Sequence, residues 1–100
     1  MANKEFEPTC TVRLIDIDLI EYRGHAPDSE SIPPTFVEIK ESIRDRGMDL
    51  PLTVTPHPGR RGYVILEAGN TRLRALKELY AETGDERFKT SPCLVMQARQ

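Results

Sequence analysis

The sequence predicts a small α+β (mixed α/β) domain in which two helices pack against one mixed sheet, in the order β-α-β-β-α-β. Three observations lead there. Residues 35–47 and 71–84 each carry apolar side chains at helical spacing and close on a glycine, Gly47 and Gly84. Short runs with strand-like alternation flank both stretches. Between the second pair of runs and the second helix lies Glu67-Ala68-Gly69-Asn70-Thr71-Arg72-Leu73-Arg74, which reads as strand, sharp turn, helix.

The elements follow in order. Residues 1–10 are polar and are expected as a flexible N-terminus, with the domain proper over residues 11–100. Residues 11–20 alternate and read as a first strand running into a turn. Residues 22–34 hold Gly24, Pro27, Pro33 and Pro34 and form a loop, longer than most connections in compact domains. Thr35-Phe36-Val37-Glu38 has the pattern of a capping box that opens the first helix. Phe36, Ile39 and Ile43 are its apolar stripe, and Arg44 and Arg46 suit its C-terminal dipole. Residues 50–55 are a short strand. Residues 56–62, with Arg60 and Arg61 at the tip, turn the chain back into a strand at residues 63–66. The second helix covers residues 71–83, capped by Asn70 or Thr71, with Leu73, Leu76 and Tyr80 on its buried face. Residues 91–98 are the last strand, with Leu94 and Met96 on one face and Val95 on the other.

Composition bounds the function. One hundred residues with 38% hydrophobic and 30% charged content make one globular domain with a modest core. Net charge is −2 and the isoelectric point about 5.7, against a strong general DNA binder, although the arginines cluster locally. With no tryptophan and 6% aromatic residues, base-stacking platforms are scarce. Cys10 and Cys93 are far apart and read as free thiols of a cytoplasmic protein. No apolar run is long enough for a signal peptide or a membrane span, so no membrane partner is expected.

The chemistry concentrates at the Gly69 turn. Gly69 permits a close backbone approach, and the first turn of a helix presents unpaired N–H groups. Arg72 and Arg74 stand there although the helix dipole disfavours cations at that end. Together these features read as an anion site, phosphate being the usual occupant. The alternative is an ordinary Gly-Asn-Thr helix start with surface arginines. Neither G-x-x-x-x-G-K-[ST] nor G-x-G-x-x-G is present. His25 and His57 lie in proline-rich loops without companions at metal spacing, so no metal site is expected. Asp16 and Asp18 read as the polar face of an edge strand. Glu67, Asp85 and Glu86 form no compact acidic constellation for a self-sufficient hydrolase or nuclease.

Several ordered pieces carry a resemblance: Val37-Glu38-Ile39-Lys40-Glu41-Ser42-Ile43-Arg44-Asp45-Arg46-Gly47, Pro51-Leu52-Thr53-Val54, and residues 63–75. In this order they resemble the N-terminal domain of ParB-type partition proteins, over roughly residues 13–98. Gly69-Asn70-Thr71-Arg72-Leu73, Leu79-Tyr80, Glu82-Thr83-Gly84-Asp85 and Arg87-Phe88 look like the branch carried by bacterial integrating conjugative elements. The resemblance implies a fold shared with sulfiredoxin, a nucleotide ligand (CTP in ParB proteins, with magnesium), homodimeric closure on DNA, and a role in plasmid partition or chromosome segregation. Gly69 and Arg72 match the glycine and second arginine of the family's Gly-Glu-Arg-Arg box, with Asn70 and Thr71 in the places between. The implied phosphate-binding set is Gly69, Asn70, Thr71, Arg72 and Arg74, with Arg23, Gly24 and His25 in the base-side loop. The family's loop arginine has no counterpart near His25-Ala26-Pro27-Asp28. Its Glu-Asn-x-x-Arg motif and DNA-reading helix-turn-helix would lie past Gln100, so the chain looks like the N-terminal domain of a longer protein. Sulfiredoxin chemistry needs a cysteine where this sequence has Asn70. Two further readings remain: a metal-dependent nucleotide hydrolase or nuclease, and a protein–protein module without ligand.

Overall fold

The computed structural model describes residues 6–24, 35–66 and 68–98. The elements are strand β1 (Phe6–Asp16), a 3-10 turn (Ile17–Leu19), β2 (Ile20–Glu21), helix α1 (Phe36–Arg46), β3 (Leu52–Pro56), β4 (Tyr63–Ile65), helix α2 (Asn70–Thr83), a second 3-10 turn (Glu86–Phe88) and β5 (Thr90–Ala98). The five strands form one sheet in the order β1-β5-β3-β4-β2. It is mixed: β1–β5 and β3–β4 are antiparallel, β3–β5 and β2–β4 parallel. The expected mixed α/β architecture with two helices is the one observed.

The expected first strand differs in two respects. It begins at Phe6, pairing with Ala98, so part of the segment expected to be a loose N-terminus belongs to the sheet. It also breaks at Asp16, whose carboxylate accepts a bond from Asp18 N–H at 2.8 Å and so starts the 3-10 turn. That competing local bond takes Asp18 out of the edge strand, while Asp16 stays as its last residue opposite Thr90. The break lets Ile20 and Glu21 join the far edge of the sheet beside Tyr63 and Val64. A flat five-stranded sheet would hold its edge strands about 19 Å apart. The four residue steps from Asp16 to Ile20 reach at most about 14 Å. The sheet is therefore curled, its two edges drawn together by the 3-10 turn.

The interior follows the periodicities. β5 buries Ser91, Cys93 and Val95 and leaves Leu94 and Met96 partly exposed, as the alternation predicts. β3 contributes Leu52 and Val54, β4 Ile65, α1 Phe36 and Ile43, and α2 Leu73, Ala75, Leu76 and Leu79. Phe88 from the second 3-10 turn completes this cluster, and Ile39 and Tyr80 pack at its margin.

Both helix starts depart from expectation. Thr35 precedes α1 but makes no side-chain cap bond, because its backbone (φ −80°, ψ 0°) lies outside the extended region that aims a cap at the N–H groups. Asn70 is already helical, and neither it nor Thr71 caps α2; the N-cap is Gly69. The helix ends behave as predicted, with Gly47 at φ 79° and Gly84 at φ 68° accepting the positive φ that ends a helix cheaply.

Candidate functional site

The start of α2 is built by packing. A β-carbon on Gly69 would lie 3.1 Å from Leu52 Cδ2 and 3.4 Å from Ile65 Cγ2, so the chain presses onto β3 and β4 there. The first bond of the helix is Leu73 N–H to Gly69 O at 2.9 Å. The N–H groups of Asn70, Thr71 and Arg72 precede it and have no partner within the helix. Gly69, having no side chain, supplies no cap, and the first turn carries no acidic residue. α1 contrasts, with Glu38 in its first turn and Arg44 and Arg46 in its last.

Asn70, released from capping, reaches across the fold. Its Nδ2 donates to Arg23 O at 2.9 Å, and its Oδ1 accepts from Arg23 N–H at 2.8 Å. This two-point clasp fixes the chain after β2 against the helix start. The two segments frame a depression of about 440 Å³ lined by Arg23, Gly24, Ala68, Gly69, Asn70 and Thr71. Five of the eight residues singled out from sequence meet there: Arg23, Gly24, Gly69, Asn70 and Thr71. His25 lies outside the described residues, as does Glu67.

Arg72 and Arg74 point elsewhere. Arg72 donates from Nη1 to Leu50 O at 3.0 Å and from Nη2 to Ala68 O at 3.4 Å, bracing the turn from behind. Its other surroundings are an apolar groove with Ile39, Ile43, Met48 and Leu50. Arg74 Nε pairs with Glu78 Oε2 at 2.9 Å, and its guanidinium carbon lies 5.9 Å from the Phe36 ring centroid. Sequence reasoning missed Ala68 in the lining and the Asn70–Arg23 clasp. No spacing rule links partners that far apart, so only the fold reveals them.

The other candidates have structural partners. Asp85 Oδ1 accepts from Arg87 N–H at 2.9 Å and starts the second 3-10 turn, and this bond holds its carboxyl below the usual range. His57 Nδ1 accepts from Gly59 N–H at 2.9 Å. Cys93 is buried, and burial pushes its thiol up to about 11, unlike a reactive thiolate. Among the described residues no group of three His, Cys, Asp or Glu side chains gathers to hold a metal. Among them, too, no helix is long and apolar enough to cross a membrane.

A curled mixed sheet, two helices and an uncapped helix start facing a neighbouring loop define a class, small α/β domains with a ParB/sulfiredoxin-like fold. The ParB N-terminal domain family matches residues 1–97, and the chain belongs to that family. A replication protein B-like protein of Rhizobium rhizogenes is 38% identical over 61 residues, covering 52% of this chain and 20% of that one. An ATP-dependent L-serine kinase of Staphylothermus marinus is 36% identical over 77 residues, 76% of this chain and 27% of the kinase. The chain thus spans about a fifth to a quarter of these relatives. The chromosome-partitioning protein ParB of Caulobacter crescentus, C-terminally truncated and complexed with CTP-γ-S, superposes with a TM-score of 0.65 and 26% identity. That match covers 89% of this chain and 46% of the other. Sulfiredoxin of Arabidopsis thaliana shares the fold, with a TM-score of 0.57 and 20% identity over 86% of this chain and 84% of that one.

Proposed function

We propose that this chain is the nucleotide-binding module of a DNA-partition or mobile-element maintenance protein of the integrating-conjugative-element branch, working in the cytoplasm. The observation that carries the reading is the uncapped start of α2, opening on the depression shared with Arg23 and Gly24. The backbone N–H groups of Thr71 and Arg72 and the positive end of the helix dipole favour a phosphate group there. The Asn70–Arg23 clasp supports the reading because it sets the position of the opposite wall before any ligand arrives. In this reading Gly69, Asn70 and Thr71 hold the phosphates and Arg72 keeps the turn in register. Arg74 acts through Glu78 and α1. Residues 23–25 flank the base. Magnesium would arrive with the nucleotide and offset the charge of its phosphates. The relative solved with CTP-γ-S makes CTP the first ligand to try. In this reading nucleotide binding promotes homodimer closure, and DNA is read by the full-length protein.

The test is calorimetric titration of CTP, ATP and GTP with magnesium. We expect selective binding that Thr71→Glu abolishes, because a carboxylate would oppose the phosphates at the helix start. Asn70→Ala should weaken it about tenfold, the equivalent of losing about 1.4 kcal/mol of hydrogen bonding. Equal affinity in both variants would reject the site. A second reading, ATP-dependent phosphoryl transfer, is favoured by the Staphylothermus kinase. Release of ADP from ATP with free serine would support it, and the absence of turnover beside measurable binding would set it aside.

A further inference from the structure

The β3–β4 hairpin carries a second feature, which the helix start does not use. A depression of about 420 Å³ lies between it and the end of β1, lined among others by Arg13, Asp16, His57, Arg60, Arg61 and Tyr63. We propose that this depression seats the phosphodiester backbone of duplex DNA, with Arg13 and Arg61 as the phosphate-binding residues.

The hairpin is fastened in place. His57 N–H donates to Gly62 O at 2.9 Å, and Arg60 binds Glu21 Oε2 of β2 through Nη2 at 2.7 Å and Nε at 2.9 Å. Gly62, at φ 111°, approaches so closely that a β-carbon would lie 2.8 Å from Leu19 O. The acids nearby are engaged. Asp16 accepts from Asp18 N–H at 2.8 Å and lies 3.4 Å from Lys89 Nζ, while Glu21 holds Arg60 and lies 3.8 Å from His57 Nε2. Arg13 and Arg61 are both exposed, and neither side chain makes a hydrogen bond, ion pair or ring contact among the described residues. Two unopposed guanidinium forks in one depression are a local excess of positive charge on a chain whose net charge is −2.

The chemistry selects phosphate, since the planar guanidinium donates to its oxygens in pairs. It selects a duplex backbone over a single strand because no base platform accompanies the arginines: the chain lacks tryptophan, and Tyr63 is half-buried. Contacts of this kind position a protein on DNA without reading sequence. The choice of DNA rests on the partition reading above, whereas the arginine site is independent of the nucleotide turn.

The test is fluorescence anisotropy with a labelled duplex of arbitrary sequence, titrated at several potassium chloride concentrations. Two phosphate contacts give a log–log salt slope of about −1.8. We expect that slope in the 100-residue chain, its near-complete loss in the double variant Arg13→Gln/Arg61→Gln, and its retention in Arg13→Lys/Arg61→Lys. Unchanged DNA binding in the glutamine variant overturns the proposal. So does tighter binding of the matching single strand, or displacement of the duplex by stoichiometric pyrophosphate, which would mark a free-phosphate site. The same variants are checked by circular dichroism and by CTP titration. Duplex binding without CTP binding would fail the nucleotide reading and leave this one standing.

Discussion

Gly69 and Gly62 look alike in sequence, yet the fold requires each for a different reason. At Gly69 φ is 165°, outside the left-handed region, and the obstacle is crowding by the Leu52 and Ile65 side chains. At Gly62 φ is 111°, and the obstacle is a backbone oxygen that cannot yield. Gly69→Ala should therefore cost about 1–2 kcal/mol through overpacking. Gly62→Ala combines strain with a backbone clash and should cost about 3 kcal/mol. Urea unfolding midpoints compare the two, and a larger loss at Gly69 would contradict this assignment. The close approach at Gly69 was legible in the sequence. What it approaches was not: the residue reads as making room for a ligand, and the structure puts Leu52 there. Asn70 was legible as polar and near a helix start, but its use on Arg23 depends on tertiary placement.

At the scale of elements, Lys40 of α1 bridges two glutamates of α2, and Arg44 Nη2 lies 3.9 Å from Glu82 Oε1 beside it. Lys40 Nζ lies 2.9 Å from Glu78 Oε1 and 2.7 Å from Glu82 Oε2, and Glu78 also accepts from Arg74. The bond from Lys40 holds the Glu78 carboxyl below its ordinary value, and the bonds to Glu82 and Glu78 raise Lys40 above its own. A depressed carboxyl stabilises the fold above its ordinary pKa of 4.5 and loses that contribution as pH falls through the lower folded value. A raised lysine contributes below its ordinary 10.5 and loses it only as pH climbs through the higher folded value. Stability should therefore be level through neutral pH and decline below about pH 4. Lys40→Met should cost about 1 kcal/mol at neutral pH and make the acid decline shallower, since these side chains are partly exposed. Equal acid slopes for both proteins, in urea melts across pH, would refute the bridge. The helices themselves were readable from periodicity and terminal glycines. Their N-caps were not, because a capping pattern names a side chain and leaves the backbone angles that aim it unspecified.

The whole molecule is one core under a curled sheet, with Cys93 fully buried in it. With its thiol pushed up to about 11, Cys93 should resist iodoacetamide at neutral pH in the folded protein and react once urea unfolds it. Peptide mapping by mass spectrometry reads this at Cys93, and rapid native labelling would contradict the buried interior. The sheet shows where local reading stops. Each main strand was visible as alternation, but the order β1-β5-β3-β4-β2 and the two-residue β2 come from long-range pairing. Arg13 was overlooked for the same reason, since only the curl of the sheet brings β1 to the hairpin.

The pairing of Phe6 with Ala98 carries a consequence of another kind. Antiparallel partners sit about 5 Å apart, so the polypeptide enters and leaves this unit through a single doorway. A longer protein can hold such a unit like a bead on a short stalk, with no need to rearrange its neighbours. For the same reason, the old ends could be joined by a short linker and new ones opened at an exposed turn, leaving every strand in place.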